Sequence, residues 1–147
     1  MYSETNKLIA EFMGAKIKSK RFDYMPTSSK NLSYDACYWF EDLNITYDGI
    51  NVNNLKFHQS WDWLMLVVEK IENLNLKEFF YKWNEEEKIR YNFMSVCVDI
   101  SYNYCNIYVE LELDPPYEIS SVTLNNKIES VYKAVVNFIN WYNEKNN

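Results

Sequence analysis

The side chains able to do chemistry in this chain are few, and most are carboxylates. His58 is the only histidine, so a Ser-His-Asp or Cys-His arrangement must use it. Ser60 and Asp62 lie close in sequence, but Ser60 is better placed as a helix cap. Zinc needs more nitrogen or sulfur ligands than the chain supplies. Glu110 and Glu112 on one strand face, with Asp99 across a hairpin, could gather a hard cation for phosphoryl-transfer chemistry. An open face suits a solvated surface better than such a site. The only two glycines are Gly14 and Gly49, so no phosphate-cradling loop is expected. Metal sites and cofactors are therefore not expected.

Charge placement is the stronger signal. Between Arg90 and Lys127 there is no lysine or arginine, whereas Asp99, Glu110, Glu112, Asp114 and Glu118 lie there. Tyr91, Tyr102, Tyr104, Tyr108 and Tyr117 share the stretch. Net charge is −6. Residues 1–33 hold six basic against three acidic side chains, a balance of +3, which leaves −9 on the remainder. An acidic body repels phosphates and attracts basic surfaces, so direct nucleic-acid binding is disfavoured. Lys16, Lys18, Lys20 and Arg21 form a local basic patch, read as a solvated edge strand unless it touches RNA.

These groups need elements to position them. Residues 94–101 and 105–114 alternate in period two. Met94, Val96, Val98 and Ile100, then Cys105, Ile107, Val109, Leu111 and Leu113, form an apolar side. The intervening Ser95, Cys97, Asp99 and Ser101, then Asn106, Tyr108, Glu110, Glu112 and Asp114, form a polar one. This pattern predicts a half-buried antiparallel hairpin. Its register sends Cys97 and Cys105 to opposite faces. Pro115-Pro116 should end the second strand, and residues 117–124 add a third.

Helices are predicted on both sides of this block. Asn126 with Glu129 forms a capping box, and Ile128, Val131, Tyr132, Val135, Phe138, Ile139 and Tyr142 trace one stripe, with Trp141 at its rim. Ser60 caps an earlier helix with Trp61, Leu64, Met65, Val68 and Ile71 inward. One of Trp61 and Trp63 packs inward; an exposed Trp63 is a contact hot spot. Leu76, Phe79, Phe80 and Trp83 make a shorter amphipathic segment. Near the start, Thr5 or Asn6 caps a helix through Met13 that ends at Gly14. Residues 15–34 read as irregular, Cys37 to Phe40 as a strand, and Asp48-Gly49 as a hairpin turn.

The expectation is one α+β domain over residues 1–147, an antiparallel sheet with two or three amphipathic helices packed on one face. The cysteines are Cys37, Cys97 and Cys105, an odd count without a CxxC pair, which suits a reducing cytoplasm. The start carries no signal-peptide pattern, and the longest apolar run is too short for a membrane span. A cytoplasmic location and no membrane partner are expected.

Three blocks carry a resemblance: Asn6 to Gly14 (NKLIAEFMG); His58 to Met65 (HQSWDWLM) with Val68 to Glu72; and Lys127 to Tyr132 with Phe138-Ile139 and Trp141 to Asn143. Together they resemble a group of small uncharacterised proteins from bacteriophages and Bacteroidetes. Members often have proline where this chain has Leu66, which leaves the helix more regular here. Residues 15–57 fall outside the resemblance. The group brings no catalytic residue, and its phage connection implies binding to a host protein, including defence nucleases. The expected function is therefore a non-enzymatic binding protein, in its sharpest form an anti-CRISPR-like inhibitor. Its contacts would be Asp99, Tyr102, Tyr104, Tyr108, Glu110 and Glu112. The competing readings are a small magnesium-dependent nuclease or hydrolase, and a housekeeping assembly factor joined through a sheet edge.

Overall fold

A computed structural model of the chain describes residues 2–18, 37–39, 50–80, 92–112 and 114–147. The chain divides into two compact units, Met1–Lys56 and Phe57–Asn147. The fold is α+β.

The first unit opens with α1, Ser3–Phe12. The helix begins before Thr5 and Asn6, so neither is its cap. Thr5 Oγ1 instead donates to the Tyr2 carbonyl at 3.2 Å. Asn6 is buried and donates through Nδ2 to the Leu55 carbonyl at 3.0 Å. The C-terminus ends as expected. Gly14 has φ +80°, its N–H donates to the Glu11 carbonyl, and the Ala15 N–H reaches the Ala10 carbonyl. This paired closure satisfies the last carbonyls and requires a left-handed residue, which glycine supplies without a Cβ clash.

Three short strands follow: β1 Lys16–Lys18, β2 Cys37–Trp39 and β3 Ile50–Asn51. They pair antiparallel in that order, with β1 at an edge. The irregular reading of residues 15–34 therefore fails at residues 16–18, which form the edge strand expected of the basic patch because pairing to β2 overrides weak local pattern. The Asp48-Gly49 turn lies outside the described residues, as do Lys20 and Arg21.

The second unit is built on a larger sheet: β4 Asn92–Ile100, β5 Tyr104–Glu112 and β6 Asp114–Thr123, antiparallel in the order β4-β5-β6. Helices α2, Trp61–Glu72, and α3, Lys127–Asn146, cover one of its faces. Beneath them lie Val96, Ile107, Val109, Leu111 and Val122 from the strands. Leu64, Val67, Val68 and Ile71 come from α2, and Val131, Val135, Phe138 and Ile139 from α3. Burying each such aliphatic side chain contributes roughly 1.5–3 kcal/mol before chain entropy is charged.

Asn126 caps α3 as its sequence implies, its side chain accepting from the Ile128 and Glu129 N–H groups at 3.0 and 3.4 Å. Ser60 occupies the cap position of α2 with extended backbone, but its side chain makes no capping bond. The α2 stripe is also rotated from expectation. Trp61 and Met65 are 38 % and 43 % exposed, whereas Val67 is buried. Of the tryptophan pair it is Trp63 that packs inward, half-buried with its ring edge-on to Phe57 at 5.1 Å.

Three strand details differ from the alternation rule. Met94 is not on the apolar side. It is the extra residue of a β-bulge, 60 % exposed, and Phe93 takes the inner place opposite Leu111. Pro115-Pro116 does not end the pairing but lies inside β6, an edge strand where a missing N–H is tolerated. Asp114 pairs with Leu111, on the helix-covered side rather than the open one.

Candidate functional site

The open face of the β4-β5-β6 sheet brings the sequence-predicted carboxylates and tyrosines together. Strand pairing places directly opposed residues on one face. Along β5 the open-face rungs read Asn92–Glu112, Ser95–Glu110, Cys97–Tyr108–Glu118, Asp99–Asn106–Ser121 and Tyr104–Thr123. The tight turn from β4 to β5 is closed by the Ser101 N–H donating to the Tyr104 carbonyl at 2.9 Å. Tyr102 stands at its tip, 85 % exposed. Asp99, Tyr104, Tyr108, Glu110 and Glu112 thus share one surface, and Tyr102 projects from its end. Tyr117, however, opposes Val109 on the covered side, with its ring edge-on to Phe80 at 5.6 Å. Tyr91 and Leu113 lie outside the described residues.

Two carboxylates on this surface are held in place from the neighbouring strand. Asn92 Nδ2 donates to Glu112 Oε2 at 2.7 Å, and Ser95 Oγ donates to Glu110 Oε2 at 3.1 Å. Ser95 Oγ also lies 3.5 Å from Cys97 Sγ. Desolvation, the adjacent Cys97 and Asp99, and hydrogen bonding to both push the Tyr108 phenol up to about 12, so its ring is neutral at ordinary pH. Cys97 and Cys105 are free thiols on opposite faces. Burial, reinforced by Asp99, pushes Cys105 up to about 12, which leaves it protonated and weakly nucleophilic.

The face carries one sign of charge. Asp99, Glu110, Glu112 and Glu118 are exposed, and no lysine or arginine occurs in any of the three strands. A solvated sheet face commonly offsets its charges with opposite-sign pairs across strands. Here the cross-strand partners of the glutamates are Asn92, Ser95 and Tyr108. Electrostatic attraction to a positive surface is therefore not satisfied within the sheet.

The edges are blunted. β4 carries its bulge at Met94, and β6 carries two register shifts, with Ile119 as the extra residue of one and the proline pair in the other. Bulges and prolines on edge strands oppose the addition of a further strand. The broad face, rather than an edge, is thus the surface this sheet offers.

Other candidate chemistry does not assemble. Asp99 opposes Asn106, four residues from Glu110 along β5, which separates them by roughly 13 Å along the strand. That spacing is too long for one cation. Among the described residues, no three His, Cys, Asp or Glu side chains come together as a metal site. His58 is half-buried, with its ring edge-on to Tyr132 at 6.2 Å, and desolvation lowers its pKa. This is a packed imidazole. An apolar pocket lined by Phe79, Phe80, Tyr117, Trp141 and Lys145 has room for about one water molecule.

Sequence pattern missed one residue that holds the site's shape. Ser130 is fully buried near the start of α3. Its hydroxyl donates to the Asn103 carbonyl at 2.7 Å and accepts from the Leu124 N–H at 3.1 Å. It therefore ties the helix to the hairpin tip and to the end of β6. Its place in the first turn of a capped helix is the only sequence signal, and many solvated serines share it. Among the described residues, no helix is long and apolar enough to cross a membrane. Compared with protein-family models, curated proteins and solved structures, the chain matches none.

Proposed function

We propose that this chain is a non-enzymatic binding protein of phage or prophage origin, whose acidic, tyrosine-bearing sheet face docks onto a basic surface of a host protein. The sharpest form of the reading is an inhibitor of a host defence nuclease, acting where that enzyme's cationic channel holds nucleic acid. The observation that carries it is the single sign of charge: four exposed carboxylates on an open sheet face, with no basic side chain in any of its strands. Carboxylates spaced two residues apart on one strand present a line of negative charge, as a phosphate backbone does. Tyr102, Tyr104 and Tyr108 add rigid area of the kind that anchors interfaces.

The test is co-purification with RNA-guided and other defence nucleases from a matching host, over ascending salt. A complex at low ionic strength that weakens steeply with salt supports the reading. No complex with any such effector at low salt removes the nuclease form of it. Charge reversal by Glu110→Lys with Glu112→Lys should slow association by about tenfold or more while leaving the melting curve nearly unchanged, as electrostatic steering requires. Stopped-flow or surface-based kinetics reads this directly.

A further inference from the structure

We infer that the outward side of α2 is a second docking surface, and that its occupant is a basic amphipathic helix of a partner protein. This surface lies across the sheet from the acidic open face and does not depend on the reading of that face.

α2 buries Leu64, Val67, Val68 and Ile71. Its other side carries Trp61, Met65, Glu69 and Glu72, all of them exposed. Spacings of four, four and three stack these residues in one row, roughly 16 Å long. Asp62 is exposed beside the row. Two choices here do nothing for α2 itself. A tryptophan and a methionine occupy successive turns, about 6 Å apart, where solvent-facing lysine or glutamine would support the helix as well or better. Every charge in the row is acidic, and Glu69 and Glu72 stand in the last turn. That is the negative end of the helix dipole, where acids disfavour the helix. Lys70, the only basic residue of α2, is half-buried and set about 100° round the helix from Glu69.

The same two choices specify what fits. Residues four apart form the ridge that enters the groove of a second helix. In that ridge the tryptophan is a large anchor and the methionine an adaptable one. Over the C-terminal half, Glu69, Glu72 and the end of the dipole together call for cations. A helix with apolar residues towards one end and lysine or arginine towards the other meets both demands. An extended basic segment would answer the charges but leave the ridge unpacked. A second copy of α2 would bring more acid to the row and no exposed cation.

The probe is a four-turn helical peptide with leucines on one side of its first half and lysines on the same side of its second. Its leucine–glutamate counterpart and octa-lysine are the controls. Each is titrated into the full chain at low ionic strength by calorimetry, with amide chemical shifts followed by NMR. The leucine–lysine peptide should bind with its largest shifts on Trp61, Met65, Glu69 and Glu72. Octa-lysine should bind this row at least about tenfold more weakly, and the glutamate counterpart should not bind. Trp61→Ala with Met65→Ala should weaken the leucine–lysine peptide by about tenfold, and Met65→Gln alone by a smaller factor. Glu69→Gln with Glu72→Gln should weaken it and flatten its salt dependence. Thermal melts establish that the variants fold. Shifts confined to the open face of the sheet, with α2 unmoved, overturn the inference and leave the open-face reading standing. Equal affinities for the two lysine peptides overturn it as well, as does an unchanged affinity in the Trp61 and Met65 double variant or an absence of binding by the leucine–lysine peptide.

Discussion

The two faces of the β4-β5-β6 sheet are made by the same strands yet follow different rules. On the helix-covered side, neighbours are chosen by shape: Val96 opposes Val109, and Ile107 opposes both Val98 and Ser120. On the open side they are chosen by polarity, and the rungs pair Glu112 with Asn92, Glu110 with Ser95, and Glu118 with Tyr108. Stability resides in the first face because water is removed there. The second face gains little by folding, so its composition is free to serve a partner.

The sharpest way to break this contrast is a matched pair of truncations on neighbouring rungs. Ile107→Ala should destabilise by about 2–5 kcal/mol, because the lost methyls leave a cavity in a packed layer. Glu110→Gln should shift stability by no more than about 0.5 kcal/mol. Urea unfolding of the two variants measures both. Similar values would mean that the open face is not a solvent face.

Two buried serines sharpen it further. Ser130 satisfies its hydroxyl with the Asn103 carbonyl and the Leu124 N–H. Ser130→Ala removes both bonds and leaves the Leu124 N–H and the Asn103 carbonyl only their bond to each other at 3.0 Å, so it should cost about 0.5–1.5 kcal/mol. Ser120 is also buried, yet its Oγ has no hydrogen-bond partner. Ser120→Ala should therefore be neutral or stabilising, by up to about 1 kcal/mol. Opposite signs from one chemical change, read from thermal melts, would separate a hydroxyl that ties elements together from one that is merely enclosed.

The smallest expected effect is alkaline. The Tyr108 pKa is raised in the fold to about 12 from an ordinary value of 10.0. Its neutral form is thus favoured by folding, so the contribution is complete below pH 10 and is lost as pH rises towards about 12. Ultraviolet titration should show one tyrosine ionising late, and Tyr108→Phe should remove that phase.

Much of this was readable in the chain. The alternation assigned Val96, Ile107 and Val109 to the core, because a period of two leaves only one buried side. The Asn126 cap and the Gly14 stop were legible because each meets a local backbone need. The failures came where non-local contacts outweighed local pattern. Met94 obeys the alternation in sequence, but the bulge puts it in water. Pro115-Pro116 looks like a terminator, but on an edge strand its missing N–H costs no ladder bond. Trp61 and Met65 fit the helical stripe at one rotation, while packing against the sheet selected another that buries Val67. Tyr117 looked like part of the acidic surface, but the shifted register of β6 turns it towards Phe80.

The order of residue types by itself determined that the chain would build an antiparallel layer with one greasy and one acidic side. It also determined that no lysine or arginine would interrupt the acidic one. Both are properties of spacing, and spacing is inherited unchanged by the strands. Only the tertiary structure decided which acids stand together. It set Glu110 beside Ser95 and Glu118 beside Tyr108, carried Asp99 several rungs away, and turned Asp114 to the covered side. Those outcomes depend on strand register and bulges, which are fixed by contacts between residues distant in the chain.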